Sequence, residues 1–138
     1  MDLWKDSSQR RGTVGKAVIG AFIAALLMKI FVFDFMIAEG HSMVPVIKPG
    51  TILLVCKTYY GFRLPGSLGV IIQWKTPKEG EVVVFYTPHG DIAVKRCGEI
   101  LEGEDFLAIG DNSSQSFDSR NYGPVPYKSI IGKVLGIK

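Results

Sequence analysis

The chain has 138 residues, room for one domain and one appended segment, since domains usually run to about 100 to 150 residues, and a multidomain machine is excluded. With 47% hydrophobic and 21% charged residues it is too apolar for a disordered chain, and a net charge of +3 gives electrostatic binding of nucleic acid little footing. The two cysteines, Cys56 and Cys97, and the two histidines, His41 and His89, make neither a disulfide framework nor a ligand pair at helical spacing, so no metal and no cofactor is expected.

The apolar excess is concentrated near the amino terminus. Ala17 to Ala38 reads AVIGAFIAALLMKIFVFDFMIA, with Lys29 and Asp34 as its only charges. Its uncharged part is about 12 residues, whereas crossing a bilayer takes about 20 at 1.5 Å each. A helix over Val14 to Phe33 spans if Lys16 and Lys29 extend their ammonium groups to opposite interfaces. Lys5, Arg10, Arg11 and Lys16 precede the apolar run and put the amino terminus on the cytoplasmic side. A buried core helix would need a larger core than the remaining residues supply, a cleaved signal peptide would need a small-residue cleavage site that is missing, and an in-plane helix would need a polar face. The division predicted is a cytoplasmic segment over residues 1–13, a transmembrane anchor and juxtamembrane segment over 14–38, and an extracytoplasmic domain over 39–138.

From residue 39 the texture becomes β-rich. Thr51 to Cys56, Val70 to Trp74, Glu81 to Tyr86, Ile92 to Arg96, Phe106 to Ile109 and Ile130 to Ile137 have strand length and β-branched or aromatic content. Turn-rich pieces divide them: KPG at Lys48, LPGSLG at Leu64, TPKEG at Thr76 and TPHG at Thr87. No second helical pattern follows. The fold class predicted is mainly β, a small antiparallel barrel or curved sandwich carrying one amino-terminal transmembrane helix. The run YYGFRLPG at Tyr59 to Gly66 places exposed-looking aromatics in a turn-rich loop, for which disorder, a lid and a membrane-touching loop all stay open.

A serine needs a base to act as a nucleophile. His41 adjoins Ser42, but neighbours on an extended chain point to opposite faces, so the two do not form a dyad without an unusual turn. His89 sits in a turn. Lys95 is the other base candidate: in the strand IAVKR it shares a face with Ala93, while Arg96, Val94 and Ile92 share the other. One of the two adjacent basic side chains must face inward or toward a rim, and burial of Lys95 would lower its pKa and leave a neutral amine to accept the serine proton. On pattern alone, a Lys-Arg pair at a strand end is more often solvated surface.

The stretch GHSMVPVIKPGTILLV at Gly40 to Val55, the pair Lys95–Arg96 and GDNSSQSFDSRNYGPVP at Gly110 to Pro126 resemble, in this order, three motif boxes of the type I signal peptidases, the Ser/Lys membrane proteases. The amino-terminal anchor and the 53-residue spacing from Ser42 to Lys95 fit as well. S-M-x-P is a weak signal by itself and K-R is none, whereas GDN followed by S-x-D-S-R after both is specific. The resemblance implies Ser42 as acyl-enzyme nucleophile, Lys95 as general base, Met43 as a substrate-seating residue, Ser116 as the serine that orients the lysine amine, and Asp118 with Arg120 as a bracing ion pair. It further implies a membrane-bound endopeptidase that removes signal peptides from exported preproteins without a cofactor, in an inner (plasma) membrane beside the secretion translocon. A specialised processing peptidase of the pilin or conjugation type, and a noncatalytic membrane-anchored β module, are the alternatives. Neither the oligomeric state nor the choice between bacterial and organellar membranes can be read from these residues.

The chain departs from the family pattern in several places. Many members carry a serine two positions before the nucleophile, whose hydroxyl joins the oxyanion hole; here Gly40 stands there, as in another branch, and losing one such donor elsewhere costs roughly 3 to 4 kcal/mol. Ser113 follows GDN where arginine is common. The segment after Lys95–Arg96 lacks the usual G-x-P-G-D and almost all of the inserted β subdomain, which makes this a minimal form. Cys56 and Cys97 both fall at strand ends, where a disulfide and two buried thiols are equally compatible.

Overall fold

The computed structural model describes residues 3–64, 66 and 72–137. Helix α1 runs over Leu3–Phe31, so it begins well before the Val14 expected and ends just short of Phe33. Its last 21 residues, Arg11–Phe31, are apolar enough to cross a membrane, and at 1.5 Å per residue they reach about 30 Å. Every residue from Arg11 to Ile30 is exposed, so nothing among the described residues covers the apolar helix, and it is not a core helix. Phe31, at its end, stacks on Phe62 with ring centroids 6.0 Å apart.

Beyond α1 the protein is mainly β. Strands β1 (Phe33–Ile37), β2 (Ile52–Cys56), β3 (Gly61–Phe62), β4 (Ile72–Gln73), β5 (Val82–Tyr86), β6 (Ile92–Leu101), β7 (Asp105–Ile109), β8 (Val125–Pro126) and β9 (Ile130–Ile137) include all six predicted runs. Val70 and Ile71 of the predicted second run lie outside the described residues, as does most of LPGSLG. Seven strands form one curled antiparallel sheet in the order β1-β2-β9-β5-β6-β7-β8, and β3 pairs with β4 apart from it. Strand β6 is twice as long as expected because it pairs β5 with its first half and β7 with its second.

Strand β1 lies in the stretch the sequence assigns to the anchor. Hydrophobicity continues unbroken from the helix into FDFMI, and what separates the two is pairing: Phe33 to Ile37 run antiparallel to Cys56 to Ile52. The single turn α2 (Ser119–Tyr122) also has no periodic signature, being held by its Asp118 cap.

The run VVVFY of β5 is apolar at successive positions because both faces of this central strand are covered. Val83 and Phe85 enter a cluster with Phe106, Cys97, Val125 and Tyr60, while Val84 enters a second with Leu53, Val55, Ile47, Met43 and Val134. Phe85 meets Phe106 edge to face at 5.8 Å. Tyr60, placed in a loop by the sequence, is buried, and its hydroxyl donates to Glu81 Oε2 at 2.6 Å. The other Glu81 oxygen accepts from Lys133 Nζ at 2.7 Å, and Lys75 and Lys133 lie 4.2 and 4.3 Å from the centre of the Tyr59 ring. These contacts hold the start of the 57–80 loop against the sheet. Cys56 and Cys97 are both buried free thiols.

Candidate active site

Ser42 sits in the turn between β1 and β2. The base of that turn is closed by Ala38 N–H donating to Thr51 O at 2.9 Å and Gly50 N–H donating to Ala38 O at 2.8 Å. Gly40, two residues before Ser42, has φ +78°, a left-handed backbone that side chains disfavour, so this turn selects glycine over serine on conformational grounds. His41 is exposed and makes no side-chain contact with Ser42 among the described residues.

Lys95 lies on β6 opposite Val83 of β5 and two residues from Cys97, on the face that packs into the larger core cluster. Its side chain is therefore 6% exposed, and Nζ reaches Ser42 Oγ at 2.6 Å. Burial lowers the Lys95 pKa from its ordinary value, and the Asp118 carboxylate opposes that shift. Arg96 takes the opposite face. Its Nε and Nη2 donate to Asp111 Oδ1 and Oδ2 at 2.8 and 2.7 Å, and Nη1 donates to Gly80 O at 2.8 Å. Of the two adjacent basic side chains, then, the one with a rigid planar fork is spent on a bidentate pair at the rim, and the flexible one is turned inward.

The third segment closes behind this pair. Asp118 is fully buried, and each group that reaches its carboxylate is a donor: Gly110 N–H at 2.8 Å, Ser116 Oγ at 2.6 Å, and Arg120 through backbone N, Nε and Nη2 at 3.1, 2.9 and 2.6 Å. Burial alone would raise its pKa, but the guanidinium, the hydroxyl and the two N–H donors outweigh it and hold the carboxyl far below the usual range. Ser116 thus gives its proton to Asp118; the hydrogen bond expected between Ser116 and the lysine amine is not among the described contacts, and its oxygen keeps lone pairs as acceptors. Gly110 is required by close approach, because a Cβ there would fall inside the Ser116 side chain and 2.7 Å from Ser42 O.

Met43 is 4% exposed and lines a cavity of about 440 Å³ with Met36, Ala38, Ile47 and Val94, at the end of which stand Ser42 and Lys95. The cavity lining is mixed, with apolar side chains beside Glu39, Ser42 and Lys95, so an occupant meets the hydroxyl and the amine together. Asn112 and Asp111 carry contacts that spacing alone does not signal. Asn112 N–H donates to Ser42 O at 2.8 Å, and its Nδ2 donates to His41 O at 3.0 Å, joining the first segment to the last across 71 positions. Polar residues directly following the Gly110 turn were the one hint of this.

The family described as signal peptidase, peptidase S26 matches residues 11–100 and 92–137. A signal peptidase I of Helicobacter pylori is 33% identical over 140 residues, covering 85% of this chain and 48% of the relative. A chloroplastic thylakoidal processing peptidase 1 of Arabidopsis thaliana is 24% identical over 158 residues, covering 86% and 45%. A signal peptidase I T of Bacillus subtilis is 27% identical over 154 residues, covering 86% and 80%. The chain therefore spans about half the length of several curated relatives and most of another. With residues 11 to 137 matched, from within the helix through all three segments that build the cleft, the chain belongs to the signal peptidase family.

Proposed function

We propose that this chain is a membrane-anchored serine endopeptidase that removes amino-terminal signal peptides from exported preproteins, with Ser42 as nucleophile and Lys95 as general base. The observation that carries the reading is the 2.6 Å contact between Ser42 Oγ and a lysine amine that is 6% exposed and lowered in pKa by burial. With Lys95 protonated, Nζ donates to the hydroxyl. Once neutral, it reverses the bond, and its lone pair accepts the serine proton as Oγ attacks the scissile carbonyl. The ammonium so formed returns that proton to the leaving amine, releasing the mature chain and leaving an ester on Ser42. Water then attacks the ester, giving a proton to Lys95 Nζ, which passes it back to Ser42 Oγ as the signal-peptide carboxylate departs. Asp118 and Ser116 hold the segment behind the amine, and Met43 forms part of the floor on which the residues before the cut rest.

Helix α1 supports an anchor in the bilayer. The basic residues in its first half, Lys5, Arg10, Arg11 and Lys16, favour a cytoplasmic amino terminus and a catalytic domain on the far side of an inner membrane, beside the translocon from which preproteins emerge. The test is cleavage of a model preprotein by detergent-solubilised wild type, Ser42→Ala and Lys95→Ala, with the new amino terminus of the product sequenced. Cleavage after small residues at the first and third positions before the cut, lost in both variants, is expected. Undiminished cleavage by Lys95→Ala would rule out the lysine as base, and a folded but inactive wild type would reject the reading as a whole.

A further inference from the structure

The Asn112 side chain has a defined orientation. Its Oδ1 accepts from Ser114 Oγ at 3.0 Å, which turns Nδ2 toward His41 O at 3.0 Å, and Nδ2 is shared with Gln115 Oε1 at 3.2 Å. The hydroxyl hydrogen is free to rotate, whereas an amide presents its donor and acceptor on opposite sides, so the contact with a carbonyl assigns Nδ2 to His41. One residue on, the Asn112 backbone N–H holds Ser42 O at 2.8 Å. Two successive carbonyls of the nucleophile turn are thereby gripped by one residue, 70 and 71 positions away.

The peptide between His41 and Ser42 is trans. In a planar trans peptide the C=O and the next N–H point in opposite directions, so fixing His41 O also fixes the direction of Ser42 N–H. Among the described residues that N–H makes no hydrogen bond, and Ser42 lines the cleft. An unpaired backbone donor on the nucleophile itself is suited to receive the negative oxygen that develops when the carbonyl is attacked, and with glycine rather than serine at position 40 its aim matters more.

Resting on the peptidase reading above, we propose that Asn112 is a positioning residue for the oxyanion hole, its side-chain amide locking the 41–42 peptide so that the Ser42 N–H faces the reacting carbonyl. The backbone bond from residue 112 to Ser42 O survives any substitution except proline, so other side-chain changes free one peptide without releasing the turn.

The experiment uses the full chain in detergent micelles and a peptide spanning a signal-peptide cleavage site, with rates referred to the folded fraction measured by near-ultraviolet circular dichroism. Asn112→Ala removes the donor; Asn112→Asp keeps the shape but sets a carboxylate against the His41 carbonyl. Both should lower kcat about tenfold or more, below the roughly 100- to 1,000-fold cost of deleting an oxyanion donor outright. KM should stay within about twofold of wild type, as for an interaction made only in the transition state. The inhibition constant of a peptide aldehyde, whose hemiacetal oxygen occupies the same place, should rise by the factor lost from kcat, and the pH midpoint of kcat/KM should not move. Wild-type kcat in both variants overturns the inference, and so does a loss of kcat accompanied by a shifted pH midpoint, which would assign the effect to Lys95. Failure of wild type to cleave any such peptide would overturn the peptidase reading and this inference with it, whereas wild-type cleavage with an unaltered variant overturns this inference alone.

Discussion

Asp118→Asn changes one oxygen to an NH2 group with almost no change in shape, and at this position it should be strongly destabilising. Each partner of the carboxylate is a donor, from Gly110 N–H and Ser116 Oγ on one oxygen to the Arg120 groups on both. An amide can accept on one side only, so its NH2 must face either the Gly110 and Ser116 donors or part of the Arg120 fork. The Gly110 N–H is buried, and a buried donor left unmade costs about 1 to 3 kcal/mol. Asp118 is also the cap of α2, but asparagine caps a helix as well as aspartate does, so the oxygen turned toward Arg120 N–H keeps that bond and the cap adds nothing to the cost. The Arg120 side chain is 42% exposed and regains water, so the broken ion pair adds little. The expected loss is about 1 to 3 kcal/mol, read as a lower urea midpoint at unchanged slope for the chain in micelles. The pH dependence supplies a second reading. Because the folded carboxyl has a depressed pKa, its stabilisation is fully present above the unfolded value of about 3.9 and is lost as pH falls toward the folded value; the Asn variant lacks that contribution throughout. Activity should fall with stability corrected for, since Ser116 and Gly110 lose their tether. An Asn variant as stable as wild type at pH 7 would refute the all-donor account of this site.

The lowered Lys95 pKa predicts that kcat/KM rises with pH through a midpoint below the ordinary 10.5, and a rise confined to that value would remove the case for a buried base. Lys95→Met should abolish cleavage and at the same time stabilise the folded domain at pH 7 by about 1 to 2 kcal/mol, since an apolar side chain of similar length replaces a partly desolvated amine; a less stable Met variant would contradict this. Gly110→Ala should cut kcat by about tenfold or more, because the new Cβ displaces Ser116 and presses on Ser42 O, and misplacement of reacting groups by an ångström is costly. Wild-type rates from that variant would show that the turn yields without moving Ser42.

The readable part of the fold was the part written in local patterns. Five apolar, β-branched runs became strands that bury at least one face, the run ending at Trp74 kept only the exposed two-residue β4, and the longest apolar run became an exposed helix. Strands β3 and β8, two residues each, and β1, continuous in hydrophobicity with the helix, depend on partners far along the chain, and strand preference is largely a preference for such surroundings. Tyr60 illustrates the same limit: a tyrosine in a turn-rich run is buried where Glu81, itself held by Lys133, accepts its hydroxyl.

The site divides along the same line. Residue type, order and spacing, with the family resemblance, singled out Ser42, Lys95, Ser116, Asp118 and Arg120 before any coordinates. Those residues carry distinctive chemistry in short motifs, and local chemistry is what a sequence records directly. Which of Lys95 and Arg96 turns inward was not so recorded; period-2 alternation permits either, and the choice falls to Asp111, which takes the arginine at the rim, and to Val83 and Cys97, which bury the lysine. Nor does spacing reveal that Ser116 gives its proton to Asp118 or that Asn112 grips the nucleophile turn. Contacts between residues as far as 71 positions apart exist only once the sheet has curled, so the sequence by itself determined the apolar helix, the β character and the chemical repertoire, and the tertiary structure decided which groups face one another and which of them are buried.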